Sequence, residues 1–95
     1  MKLSFILPIY NTGKYLQKCI DSTLAQNLVA GDYEVLLVYD EGSSDNSLQI
    51  AQENVDRYPN VVRLISHSNR SIGESLNYAF PLAKGTYVQV IDTDD

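Results

Sequence analysis

The sequence has few basic residues and only one cysteine. Seven Lys and Arg stand against twelve Asp and Glu among its 95 residues, which gives a formal net charge of −5. Because no cluster of Lys or Arg is present to neutralise a phosphate backbone, the chain is not expected to bind nucleic acid. The lone Cys19 excludes an intrachain disulfide framework and is compatible with a reducing compartment such as the cytoplasm.

Long apolar runs and the common nucleotide-loop motifs are also missing. No apolar run approaches the roughly 20 residues that span a bilayer. The first residues lack a small-residue cleavage site, so they indicate a first strand and not a signal peptide. No phosphate loop ending in Gly-Lys-Ser/Thr occurs, and no G-x-G-x-x-G follows the first apolar segment. These absences count against a P-loop NTPase and a conventional dinucleotide dehydrogenase.

Apolar runs instead alternate with amphipathic segments along the whole chain. The predicted strands cover residues 3–9, 33–39, 61–66 and 86–91, and the predicted helices cover 14–26, 45–57 and 72–83. Asp45 should cap the second helix, and Phe80 should lie on the buried face of the third, which Pro81 should kink or end early. The order β-α-β-α-β-α-β predicts an α/β fold with a Rossmann-like, mostly parallel sheet and helices on both faces.

The segment after the first strand is Pro8-Ile9-Tyr10-Asn11. Pro8 cannot donate to a central ladder, so it marks the end or the edge of a strand. Tyr10 could serve as a stacking platform for a planar ring. Taken alone, however, the segment is better explained as an ordinary strand-to-helix turn with a half-exposed Tyr, in which Asn11 favours the turn.

The segment after the second strand contains two acids, a glycine, two serines and a further acid. Helix capping explains Ser43, Ser44 and Asp45 well. It explains Asp40 and Glu41 poorly, although they could form a solvated turn. Asp40 could instead accept a hydrogen bond from a base N–H group in a nucleotide pocket.

The segments after the third and fourth strands are also polar. His67 has no His or Cys partners nearby in the sequence, so we interpret it as a solvated loop residue, whereas Arg70 could approach a base or a diphosphate. Asp92, Asp94 and Asp95 follow the last strand within four residues and repel one another unless a cation gathers there. Such oxygen ligands suit Mg²⁺ or Mn²⁺, and ligands bind at the carboxyl ends of strands in open α/β sheets.

Taken in order, these segments resemble the N-terminal half of family 2 glycosyltransferases of the GT-A fold. The matching segments are Pro8-Ile9-Tyr10-Asn11 to P-x-Y-N, residues 38–45 to V-x-D-D-G-S-T-D, residues 69–77 to N-x-G…A-R-N, residues 84–87 to K-G-E-Y and residues 92–95 to D-S-D-D, the DXD element. Each motif alone is weak, but five in order at matching spacing are strong. Three positions depart from the pattern: Glu41 replaces an Asp, Ser71 stands where Gly is common, and Leu76 stands where many members have Arg.

The resemblance implies roles for residues of this chain. Tyr10 would flank the nucleobase, Asp40 would hydrogen-bond it, and Asp92 and Asp94 would meet the ribose and the metal-bound diphosphate. The whole set implied for nucleotide binding is Pro8, Tyr10, Asn11, Asp40, Glu41, Arg70, Asp92 and Asp94. Asp94 and Asp95 would hold Mn²⁺ or Mg²⁺. The catalytic base is expected beyond residue 95.

The resulting hypothesis is that residues 1–95 are the nucleotide-sugar-binding part of a metal-dependent glycosyltransferase domain whose acceptor part is absent. The full protein would transfer a sugar from a nucleotide-diphosphate donor, a UDP-sugar, to a saccharide or lipid-linked acceptor with inversion, while the fragment itself would be inactive. We expect it in the cytoplasm, with any membrane attachment in the missing part, and we expect the open sheet edge to pair with itself. A non-catalytic nucleotide-binding or interaction module remains an alternative. A nucleotidyltransferase is another, although Asn11-Thr12-Gly13-Lys14 is a poor phosphate loop.

Overall fold

The computed structural model describes residues 1–26, 29, 31–68 and 72–91, of which residues 72–75 are described by their backbone only. Strands and helices alternate along these residues. They are β1 Leu3–Ile9, α1 Gly13–Leu24, β2 Tyr33–Asp40, α2 Ser47–Arg57, β3 Val62–His67, α3 Ile72–Ala79 and β4 Tyr87–Val90, with a 3₁₀ turn at Phe80–Leu82 before β4. The predicted order of elements is confirmed. None of the helices in this part of the chain is long and apolar enough to cross a membrane.

The four described strands form one parallel sheet in the order β3-β2-β1-β4. Helices α1 and α2 contact each other, whereas α3 contacts β1 and β2. Since successive side chains of a strand point to opposite faces, the sheet buries two separate apolar cores. Phe5 and Leu7 of β1 pack in one core with Leu16 of α1, and Ile6 packs in the other with Ala79 of α3. The predicted α/β fold with helices on both faces is therefore confirmed.

The end of α3 differs from the prediction. α3 ends at Ala79 and is followed by the 3₁₀ turn that contains Pro81, so the expected early end is confirmed. Phe80 is 44% exposed, and the prediction that it packs in the core is wrong. The change from α to the tighter 3₁₀ geometry takes Phe80 off the 3.6-residue period on which the prediction depended.

An ion pair between buried Glu34 and partly exposed Arg63 joins strands near their amino ends. The Glu34 carboxylate accepts hydrogen bonds from the Ser4 hydroxyl at 2.6 Å and from the Lys84 N–H at 2.7 Å, and it pairs with Arg63 at 2.9 Å. Burial alone would raise the pKa of Glu34, but these donors and the Arg63 charge together hold that pKa below its ordinary value. The cluster ties the segment before β4 to the sheet, at the end opposite the polar loops.

β4 forms one edge of the sheet and is exposed along its length. Tyr87 is 72% exposed, Val88 41% and Val90 38%. The Tyr87 N–H donates to the carbonyl of Lys2, just before β1, and the Ile91 N–H donates to the carbonyl of Ile6 in β1. The alternating N–H groups of Val88 and Val90 therefore point away from β1. Within the described ranges, no strand pairs with this outer edge.

Candidate functional site

The polar segments after β1 and β2 lie side by side at the carboxyl ends of the strands. We call residues 10–12 the β1 loop and residues 41–46 the β2 loop. The strand register pairs Ile9 with Tyr39, so Tyr10 and Asp40 follow at neighbouring positions. The strand order proceeds from β1 through β2 to β3 and then places β4 on the other side of β1. Tyr10 therefore lies at the topological switch point, where open α/β sheets bind their ligands.

Tyr10 is an exposed aromatic residue at the carboxyl end of β1. Its side chain is 52% exposed, as expected for a half-exposed Tyr in a turn. Pro8 is buried and is the next-to-last residue of β1. The described pairing of β1 with β4 stops at Ile6 opposite Val90, so Pro8 removes no ladder bond within it. The exposed ring of Tyr10 is available to stack on a planar ligand.

Asp40 is buried and shapes the turn that follows it. It is 3% exposed, its Oδ1 accepts the Gly42 N–H at 2.8 Å, and its carbonyl accepts the Ser43 N–H at 3.0 Å. Glu41 is exposed, and its N–H donates to the carbonyl of His67 at 2.9 Å. The alternative interpretation of a solvated turn is therefore correct for Glu41 and wrong for Asp40.

His67 lies in the sheet, so the prediction of a solvated loop residue is wrong. It is the last residue of β3, it is 4% exposed, and the register places it directly opposite Asp40. Its ring centroid lies 6.0 Å from that of Tyr78. The hydrogen bond from Glu41 to the His67 carbonyl extends the β2–β3 pairing past the last apolar residue of the predicted strand. The sequence offers no sign of this bond, which depends on the adjacent strand.

Asn11 links the two loops. Its N–H donates to the Ser43 hydroxyl at 3.1 Å, and its Oδ1 accepts the Ser44 N–H at 2.7 Å. Asn11 has a φ of +50°, in the left-handed region that Asn tolerates better than most residues. The sequence predicted a turn here, but the partners lie more than thirty positions away and could not be identified from it.

Asp45 and Ser47 bind the starts of both α1 and α2. Asp45 Oδ2 accepts the Gly13 N–H at 2.8 Å, and its Oδ1 accepts the Ser47 N–H at 3.0 Å and the Ser47 hydroxyl. The Ser47 hydroxyl oxygen in turn accepts the Thr12 N–H at 3.1 Å. Asp45 thus accepts one amide of α2, but the prediction that it is the N-cap is wrong, because α2 begins at Ser47 and its N-cap is Asn46. The bond of Asp45 to α1 was not predicted.

The electrostatics of these helix starts favour an ionised Asp45. Burial alone would raise the pKa of Asp45, but the Ser47 hydroxyl and the N–H groups of Gly13 and Ser47 outweigh it and hold that pKa below its ordinary value. The positive ends of the α1 and α2 dipoles also favour the negatively charged form of Asp45. Asp45 therefore joins the β2 loop to the starts of α1 and α2. Its oxygens are engaged by the protein itself.

Four of the predicted site residues lie outside the described residues. They are Arg70, Asp92, Asp94 and Asp95. Among the residues that the structure does describe, no group of three or more His, Cys, Asp or Glu could hold a metal ion. Of the residues predicted to contact the nucleotide, the structure brings together five at the carboxyl ends of β1 and β2: Pro8, Tyr10, Asn11, Asp40 and Glu41.

The sequence matches the Glycosyl transferase family 2 pattern over residues 4–95. It is 40% identical over 93 residues to a chondroitin synthase of Escherichia coli, and the match covers 98% of this chain and 13% of that protein. It is 36% identical over 96 residues to a poly(ribitol-phosphate) beta-glucosyltransferase of Bacillus spizizenii, covering 100% of this chain and 15% of that protein. The chain therefore spans a minor part of the length of these relatives.

Solved structures with the same arrangement hold nucleotide sugars. S. aureus TarS 1–349 in complex with UDP-GlcNAc matches with a TM-score of 0.79 and 33% identity, over 99% of this chain and 27% of that one. A mannosyltransferase from Pyrobaculum calidifontis in complex with GDP-Man and Mn²⁺ matches with a TM-score of 0.88 and 23% identity, over 98% of this chain and 27% of that one. The second likeness concerns the fold alone.

Proposed function

The chain belongs to glycosyl transferase family 2, and on that premise we propose that residues 1–95 form the N-terminal, nucleotide-sugar-binding part of a GT-A glycosyltransferase domain. The observation that carries the proposal is the placement of exposed Tyr10 beside buried Asp40 at the switch point of the sheet. One residue offers an aromatic face and the other a carboxylate. This is the pair of groups that a planar base with N–H donors requires.

The proposed binding mode uses these groups in different ways. Tyr10 stacks on the nucleobase, and Asp40 accepts a hydrogen bond from a base N–H. The bond between Gly42 and Asp40 Oδ1 supports this role, because it fixes the carboxylate before the ligand arrives. Pro8, Asn11 and Glu41 belong to the same strand ends.

The diphosphate end of the pocket is proposed from the sequence. Arg70 approaches the diphosphate, Asp92 the ribose, and Asp94 and Asp95 hold a divalent cation, Mn²⁺ or Mg²⁺. A carboxylate donor set of this kind suits hard cations. When bound, such a cation would neutralise charge that develops on the leaving diphosphate.

The donor and the acceptor are proposed from the relatives. Identity of 33% to a structure that holds UDP-GlcNAc supports a UDP-sugar as donor. The chondroitin synthase and poly(ribitol-phosphate) beta-glucosyltransferase names support transfer to a saccharide or another polymeric or lipid-linked acceptor. We propose that transfer inverts the anomeric centre, and that the 95-residue chain alone is inactive because the catalytic base lies outside it.

Calorimetric titration of the full-length protein with UDP, with and without Mn²⁺, tests the proposal. We expect UDP to bind more tightly with Mn²⁺, and Asp94→Ala to remove that dependence. Tyr10→Ala should weaken binding by about tenfold, because base–aromatic stacking contributes about 1–3 kcal/mol, whereas Tyr10→Phe keeps the ring and should bind like the wild type.

A control variant separates a local effect from a general one. Glu53→Gln changes an exposed residue of α2 and should leave UDP binding unchanged. If the folded full-length protein binds no UDP with Mn²⁺, or if Asp94→Ala binds as the wild type does, the proposal is wrong.

A further inference from the structure

We propose that Asn11 is a positioning residue of the nucleotide pocket, which joins the β1 loop to the β2 loop and so holds Tyr10 beside Asp40. The inference rests on the proposed function and extends it, because the resemblance implies only a direct contact between Asn11 and the nucleotide. The geometry gives this side chain a different task.

The bonds of Asn11 lead to both proposed base-binding residues. Tyr10 directly precedes Asn11 in the β1 loop. On the other side, Asn11 binds Ser43 and Ser44, which continue the turn that Asp40 shapes through its bond to Gly42. The Tyr10 ring is therefore connected to the Asp40 carboxylate through the Asn11 side chain and the backbone of residues 40–44.

The bonds of Asn11 differ from the ordinary bonds of a turn. Its N–H and its side-chain carbonyl both reach across to the neighbouring loop, so each loop supplies a donor and an acceptor to the other. Asn11 makes these two bonds with a left-handed φ of +50°. A residue in this conformation costs stability unless its surroundings compensate for it. The paired hydrogen bonds supply that compensation.

Thr12, Gly13, Asp45 and Ser47 make further bonds between the same two regions of the chain, on the C-terminal side of Asn11. Asp45 and Ser47 bind Gly13 and Thr12, which fixes α1 against α2. Those bonds lie after Asn11 in the chain and do not involve Tyr10 or Asn11. Asn11 directly follows Tyr10, and both its N–H and its side chain bond to the β2 loop.

Three substitutions separate the effect of the Asn11 side-chain carbonyl from the effect of its positive φ. Asn11→Gly keeps a backbone that accepts a positive φ but removes the side-chain carbonyl. Asn11→Asp keeps an oxygen acceptor and also tolerates this φ. Asn11→Ala loses both the carbonyl and the tolerance of a positive φ. The full-length protein is used for all three, with UDP and Mn²⁺ as the probe.

The first measurement is amide hydrogen exchange of Ser44 without nucleotide. The Ser44 N–H donates to Asn11 Oδ1, so its exchange should be at least about fivefold faster in Asn11→Gly and should return to the wild-type rate in Asn11→Asp. The Ser47 N–H, which donates to Asp45, is the internal control and should exchange at an unchanged rate. An unchanged Ser44 rate in Asn11→Gly overturns the inference whether or not the protein binds nucleotides.

The second measurement is UDP affinity. We expect Asn11→Gly and Asn11→Ala to bind UDP about tenfold more weakly, and Asn11→Asp to recover most of the loss. Asn11→Gly keeps the N–H that donates to the Ser43 hydroxyl, so adding Ser43→Ala removes the second bond between the loops and should weaken UDP binding further. Equal binding by wild type and Asn11→Gly overturns the inference. Failure of the wild type to bind UDP instead overturns the proposed function, and the exchange rates still decide whether Asn11 joins the loops.

Discussion

At the scale of single residues, Thr12 stands at the N-cap position of α1 but does not cap it. No capping hydrogen bond is made by its side chain, and its hydroxyl is buried without a partner among the described residues. The N–H groups of Thr12 and Gly13 at the start of α1 instead donate to Ser47 of α2 and to Asp45 of the β2 loop. The capping of α1 therefore depends on residues more than thirty positions away.

Because Asp45 and Ser47, and not the Thr12 side chain, bind the start of α1, substitutions of Thr12 and Asp45 should have different effects on the free energy of unfolding. Thr12→Val removes a hydroxyl that gains no bond, so the free energy of unfolding should stay the same or rise by about 1 kcal/mol. Asp45→Ala leaves the N–H groups of Gly13 and Ser47 without their acceptor and should lower it by about 1–2 kcal/mol. Urea unfolding followed by circular dichroism measures both.

Asp45→Asn is the matched control, because it keeps an oxygen acceptor and removes the charge. It should lose less stability than Asp45→Ala. If Thr12→Val costs as much as Asp45→Ala, the Thr12 hydroxyl has a partner and the capping does not come from Asp45 and Ser47 alone.

At the scale of elements, the strands and helices could be predicted from the sequence because their cause is local. Apolar residues along each segment indicate which parts of the chain are buried, and this placed β1 and β2 correctly. Phe80 and His67 were misplaced because a 3₁₀ turn and a cross-strand bond decide their positions. The links made by Asn11 and Asp45 also escaped prediction, since they depend on how two loops distant in sequence meet.

The buried Glu34 predicts a pH dependence of stability. Its pKa in the folded chain is below its ordinary value of 4.5. The folded state therefore favours the ionised carboxylate, and this contribution is present above about pH 4.5 and is lost as the pH falls through the lowered pKa. The free energy of unfolding, measured in urea, should fall in that range for the wild type.

Glu34→Gln isolates this contribution. At pH 7 it should lower the free energy of unfolding by about 1–3 kcal/mol, because Arg63 loses its buried partner. Below pH 4.5 the difference from the wild type should shrink. Exposed Glu53→Gln should follow the wild-type profile throughout. Parallel profiles for Glu34→Gln and the wild type would show that Glu34 is not the titrating group.

At the scale of the whole molecule, the two edges of the described sheet differ in how far their side chains are exposed. Both β3 and β4 are edge strands of the described sheet, but β3 is largely buried or half-buried, whereas β4 is exposed along its length and presents apolar side chains and outward N–H groups. Edge strands of this kind pair with other strands, because each outward N–H and carbonyl can join a new ladder. The acid-rich composition, with a net charge of −5, opposes association but is not concentrated on β4.

We predict that the 95-residue chain self-associates through the outer edge of β4. Light scattering after size-exclusion chromatography should show a mass that rises with concentration from 10.6 kDa toward twice that value. Val88→Pro should keep the chain folded and monomeric, because the N–H it removes points away from β1. Gln89→Pro is the contrasting variant. Its N–H points toward β1 in the alternation set by Tyr87 and Ile91, so this substitution should lower stability instead. A wild-type chain that stays at 10.6 kDa across all concentrations would refute pairing at this edge.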